Sequence, residues 1–180
     1  MARAPNHLAE IERFLDALDE KSIGLIEMVA SIKSDVARSS FSNYKRFSDA
    51  GGDFDSFCIL IEYRLKRLPT GPDRQSLDAR FQSARTAHMA RQLRTSIDLL
   101  GLVASATELP LGAGDVFLRE LRSIYALKNA LSEPSFADGI EAGTAHDIEL
   151  AEKILREVIE RAPTLLELSM GLDGGSPQPE

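Results

Sequence analysis

The sequence predicts an all-α fold, an antiparallel bundle of about five helices with two long ones, and three observations predict it. In the first 36 residues apolar side chains recur in alternating steps of three and four: Leu8, Ile11, Leu15, Leu18, Leu25, Val29, Ile32 and Val36, with Ser22 the one polar member of the series. A 3.5-residue period held over about four heptads draws one continuous seam along a helix. Clusters of Pro and Gly at 69–72 and 110–114 punctuate the rest of the chain. No interval between them shows the period-two alternation of a half-buried strand.

The first helix is expected from Asn6, its cap after Pro5, to Arg38, fading in the polar run Ser39 to Ser42. Phe14, Ile26 and Met28 widen its apolar stripe beyond the narrow seam of a two-stranded coiled coil, so burial among several helices fits better. Residues 39–53, ending in Gly51-Gly52, read as a loop. A second helix from Phe54 to Leu68 carries Phe54, Phe57, Cys58, Ile61, Leu65 and Leu68, and stops at Pro69-Thr70-Gly71-Pro72. The third is long, Asp73 to Leu109. Its apolar residues fall on two opposed faces, Leu77, Phe81, Leu99 and Leu102 against Met89, Leu93, Ile97 and Leu100. Such a helix is central, or lays one face on a partner subunit.

The fourth helix follows Gly114 with Asp115 as cap and points Phe117, Leu121, Ile124, Tyr125 and Leu131 inward. The fifth starts near Thr144, with Ile148, Ala151, Leu155, Val158, Ile159 and Ala162 inside. Pro163 is expected to kink or restart it before a short final turn over Thr164 to Met170. Residues 1–172 are thus expected to form a single helical-bundle domain, with 173–180 a disordered tail.

A net charge of -7 hides a polarised chain: residues 62–98 carry 8 Lys and Arg against 4 Asp and Glu, and the flanking segments are acidic. Internal neutralisation of the basic middle by the acidic ends is the simplest account. Cys58 is the only cysteine, which rules out an intramolecular disulfide, and its apolar neighbours Phe57, Ile59 and Leu60 suggest a buried structural thiol. The start of the chain lacks the apolar core of a signal peptide, and no stretch approaches the length of a membrane span, so a cytoplasmic protein with no membrane partner is expected.

Most catalytic signatures are excluded by inspection. The chain has no phosphate loop of the Gly-x-x-x-x-Gly-Lys-Ser/Thr kind, no Gly-x-Ser-x-Gly elbow and no Gly-x-Gly-x-x-Gly. The residues three before His7, His88 and His146 are Ala4, Arg85 and Gly143, so the paired Glu-x-x-His ligands of a bundle metal centre are missing. His146 and Glu149, one turn apart, read as an exposed capping turn. No metal and no cofactor is expected.

His88 is the titratable residue that stands out, mid-helix with Arg85 and Arg91 three positions to either side. An imidazole among cations suits attack on a phosphoryl group whose oxygens the cations hold. The pattern resembles that of histidine phosphotransfer domains and departs from it at Gln92, where those proteins usually place a small glycine. The competing account is a histidine between Phe81 and Leu99 on a partly buried face.

Arg80, Arg91 and Arg94 fall within about 60° on the third helix at 100° per residue, and with Arg85 they are the candidate partner-binding residues. An acidic protein surface suits them better than a nucleic acid, which the acidic remainder of the chain would repel. The stripe also has a candidate partner in the acidic fifth helix of the same chain. These observations favour a non-enzymatic interaction or regulatory module that binds another protein and self-associates as a homodimer. A phosphotransfer protein using His88 and a nucleic-acid-associated regulator using the basic segment 62–98 are the alternatives.

Overall fold

The computed structural model describes residues 7–36, 41–105, 111–134, 136 and 140–172, with 36 and 162–172 as backbone only. Five helices pack together, with no strand among the described residues: α1 (His7–Val36), α2 (Ser42–Lys66), α3 (Pro72–Ser105), α4 (Ala113–Leu131) and α5 (Ala142–Leu172). Short links between successive, contacting helices make neighbours antiparallel. α1 packs on α2 and α3, α4 on α3, and α5 on both α3 and α4, so α3 is shared by every other helix. The expected tail at 173–180 lies outside the described residues.

The seam of α1 is buried as its period requires. Ile11, Leu15, Leu18, Ser22, Leu25 and Ile32 are buried, and Leu8 and Val29 are partly so. Ile26 departs from this stripe, with 44% of its surface exposed.

α2 begins twelve residues earlier than Phe54, at Ser42, and the expected loop over 39–53 is corrected: residues 42–53 are helical straight through Gly51-Gly52. Two causes can be named. Asp35, near the end of α1, accepts hydrogen bonds from Ser42 Oγ at 2.9 Å and from the Asn43 backbone N–H at 2.8 Å, placing a carboxylate on the N-terminus of α2. That satisfies a donor no helix can satisfy for itself and complements the helix dipole. The second cause is a seam of its own, Tyr44, Phe47, Gly51, Phe54, Cys58, Ile61 and Leu65, again in alternating steps of three and four. Cys58 is buried within it, and burial pushes its thiol up to about 11.

The two faces of α3 are both covered within the chain. Leu77, Phe81, Leu99 and Val103 join a core with α1, α2 and the start of α4, while Met89, Leu93, Ile97 and Leu100 join a second core with α4 and α5. α3 is therefore the central helix, and its two faces make no demand for a partner subunit.

α4 starts after Gly112, whose φ of 88° is left-handed backbone that suits glycine, so Asp115 lies in the first turn and is not the cap. Its buried face is Val116, Glu120, Ile124, Leu127 and Leu131. Tyr125, expected inside, is 60% exposed. α5 begins at Ala142 and runs as one helix through Pro163 to Leu172, without the expected restart. Ala151 is buried and Ile159, expected inside, is 71% exposed.

Mid-helix glycine costs about 0.5–1 kcal/mol relative to alanine, and nothing lies within 4 Å of where a Cβ on Gly52 would sit. Gly52→Ala is therefore expected to stabilise the protein by about that amount. A urea midpoint that stays put or falls would mean that residues 42–53 are not helical in solution.

Candidate functional site

α1, α2 and α3 meet at His88. Its position on α3 shares a face with Phe81 and Leu99, the face that α1 and α2 cover, and the ring is 4% exposed. The ring stacks on Phe54 of α2, centroids 3.4 Å apart and planes 16° from parallel. On the α1 side, Nδ1 lies 3.2 Å from Ser22 Oγ, and Arg91 Nη1 donates to that same oxygen at 3.2 Å.

Arg91 is a donor only, so Ser22 Oγ accepts from it; the hydroxyl keeps a second lone pair and its own proton, with which it can accept from Nδ1–H or donate to Nδ1. Nε2 is buried and has no hydrogen-bond partner among the described residues. Burial, reinforced by the charge of Arg91, lowers the His88 pKa from 6.5 to about 4, so the imidazole is neutral at physiological pH.

Beside the ring is a crevice of about 40 Å³, lined by Ser22, Gly51, His88, Arg91 and Gln92 together with apolar walls from Leu25, Ile26 and Phe47. Phosphotransfer through His88 requires a ring that a second protein can reach. At 4% exposure under Phe54 this ring does not meet that requirement.

The arginines expected to face a partner are engaged by the chain itself. Arg80 pairs with Asp16 at 2.7 Å and Asp19 at 3.5 Å on α1, and Arg94 with Asp147 on α5 at 2.8 Å and with Asp98 at 3.3 Å. Arg85 lies over the Phe136 ring, 5.9 Å from its centroid. Arg91 is exposed and holds Ser22. Of the basic segment 62–98, Arg64 also pairs inward, with Glu10 at 3.1 Å.

A second buried polar contact joins α2 to α4. The Tyr44 hydroxyl donates to Glu120 Oε1, with both residues buried, and Arg119 donates to Ser48 Oγ at 2.6 Å nearby. Burial first, then the hydrogen bond and the charge of Glu120, raise the Tyr44 pKa well above its usual 10. Sequence reasoning missed Ser22, Gly51, Tyr44 and Glu120. A signal existed for the first two, since each is the lapse in an otherwise apolar seam. Glu120 was detectable only by accepting a carboxylate one turn from both Val116 and Ile124.

Among the described residues no group of three or more His, Cys, Asp or Glu is placed to hold a metal ion, and no helix is long and apolar enough to cross a membrane. Neither protein-family models, curated proteins nor solved structures provide a match to this chain.

Two outcomes follow from these contacts. The unfolded chain protonates His88 near 6.5 and the folded chain near 4, so stability is full above pH 6.5 and is lost as pH falls through that window. Between pH 7 and 5 the loss is about 2 kcal/mol. Urea titrations should show this extra loss in the wild type relative to His88→Gln; parallel pH profiles would contradict a buried neutral ring. Tyr44→Phe is expected to cost about 1–3 kcal/mol by leaving the buried Glu120 carboxylate without its donor. Glu120→Gln, which keeps an acceptor, should cost less, and the reverse ranking in denaturation would mean that this hydrogen bond does not form.

Proposed function

We propose that the chain is a non-enzymatic interaction module that binds another protein along the outward face of α3. The observation that carries this reading is a run of small side chains, Ala79, Ser83, Ala87 and Ala90, spaced by four, four and three so that they share one face of α3. They floor two adjoining hollows, of about 550 Å³ toward α5 and about 290 Å³ toward α1, which have Ser83, Ala87 and Arg91 in common. Small floor residues let a helix approach closely, and flanking helices hold it in place, the arrangement by which amphipathic helices are recognised.

Charge adds a preference. Arg80 and Arg94 on the rims already have carboxylate partners, whereas exposed Arg91 engages the neutral Ser22 hydroxyl, so an acidic residue on the partner helix has a cation to meet. Catalysis by the Ser22–His88 pair is disfavoured on the same physical grounds. The hydroxyl is 5% exposed and already accepts from Arg91, and an imidazole that protonates only near pH 4 is a weak base.

A photo-cross-linking side chain at Ser83, on the full chain in its source cell, should give a discrete adduct that is lost in Ala87→Arg and absent when the probe sits at Ile59 on α2. An adduct near 39 kDa, about twice the 19.7 kDa chain, would make the partner a second copy. The same adduct pattern from Ile59, or its persistence in Ala87→Arg with helix content intact, would remove this surface from consideration.

A further inference from the structure

α4 carries a second stripe, opposite the one it buries. Leu118 and Tyr125 are exposed two turns apart on this helix, with Arg122 between them. At 100° per residue Asp115, Leu118, Arg122 and Tyr125 fall within about 80° of one another, on the side away from Val116, Glu120, Ile124 and Leu127. α3 and α5 pack on α4, and α2 reaches it through Tyr44 and Ser48, yet Leu118 and Tyr125 stay exposed.

The stripe runs into a hollow of about 580 Å³ between the starts of α2 and α4, walled by Phe41, Tyr44, Leu118 and the fully exposed Leu111. Its charge is one-sided. Lys45, Arg119 and Arg122 line it against a single carboxylate, Asp115. Lys45 pairs with Asp49 at 2.8 Å, whereas Arg119 holds the neutral Ser48 hydroxyl and Arg122 makes no ion pair with a described residue. In a chain of net charge -7, this leaves two guanidiniums with more positive charge than Asp115 can balance, beside exposed apolar side chains.

We propose that this face of α4 docks an acidic amphipathic helix of another protein, its apolar side chains filling the hollow and lying along Leu118 and Tyr125, its carboxylates meeting Arg119 and Arg122. Apolar side chains left in water beside unspent cations favour a partner that covers the first and neutralises the second. The concave hollow fits the convex surface of a helix and not the flat surface of a lipid bilayer. A second copy fits less well, because a two-fold that laid Leu118 on the other copy's Tyr125 would set the two copies of Arg122 side by side at its axis. This surface is separate from the groove on α3, and no residue lines both.

The test displays a library of short helical peptides and selects on the immobilised full chain. Selection should enrich peptides with apolar residues at i, i+3 or i+4, and i+7, flanked by Asp or Glu. Titrated as free peptides by fluorescence anisotropy, these should bind Leu118→Ser and Arg122→Glu weaker by about tenfold or more. Both substitutions are at exposed positions, so helix content should be unchanged. Ala87→Arg, in the groove on α3, should bind them as the wild type does. No enrichment, enrichment of basic or unpatterned peptides, or equal affinity for Arg122→Glu and the wild type would each overturn the proposal. So would a dilution-sensitive dimer lost in Leu118→Ser, which makes the occupant a second copy, or flotation with phosphatidylserine–phosphatidylcholine vesicles lost in Arg122→Glu, which makes it a membrane.

Discussion

The core of this bundle depends on keeping one imidazole neutral and dry where three helices meet. His88 is packed flat against Phe54, so α2 and α3 are held in register by a ring-on-ring contact that tolerates little displacement. A buried ring nitrogen without a partner is costly; α1 supplies one for Nδ1 at the one point where its seam gives up an apolar residue, while Nε2 stays buried without a partner among the described residues. Leu18 and Leu25, one turn to either side of Ser22, seal the contact. The polar break in α1 is thus fixed by α3, and the apolar residues around it set how closely the three helices approach.

α3 has to be a wall for two cores at once, which explains features elsewhere that look unrelated. Apolar residues on opposed faces of one helix leave a narrow strip between them, and on α3 that strip holds small side chains from Ala79 to Ala90. Because the cores sit on opposite sides of α3, direct ties between their outer helices must reach past it. Tyr44 and Glu120 do this at one end, aided by Arg119 and Ser48, as a polar bridge between α2 and α4. A carboxylate on the buried face of α4 makes sense only with Tyr44 opposite, 76 residues away in sequence.

What was legible in the sequence was what is periodic and local. The seam of α1 and the division of α3 into two faces follow from residue spacing, and the structure buries most of those residues, with Leu8, Val29 and Leu102 partly buried. At the start of α2 the local signal of Gly51-Gly52 points to a break, and a longer pattern outweighs it. Tyr44, Phe47, Gly51 and Phe54 continue the three-and-four pattern, and a glycine in a seam position still lets the helix pass if the seam is buried on both sides. Tyr125 is outside because the buried face of α4 runs through Glu120, whose partner no local pattern reveals. At His88 the flanking arginines suggested an exposed cationic site, while its placement between Phe81 and Leu99 suggested burial. The second signal prevailed because it concerns the face that neighbouring helices cover.

Arg91 is where the organisation of the core reaches the surface. It is exposed, yet its guanidinium reaches in to hold Ser22, and it borders the crevice beside His88 as well as both hollows along α3. A guanidinium has five N–H donors but a single charge. Holding the neutral Ser22 hydroxyl does not compensate that charge, whereas Arg80 and Arg94 commit theirs to Asp16 and Asp147, so along α3 it is Arg91 that ties the polar break of the core to the electrostatics of the surface.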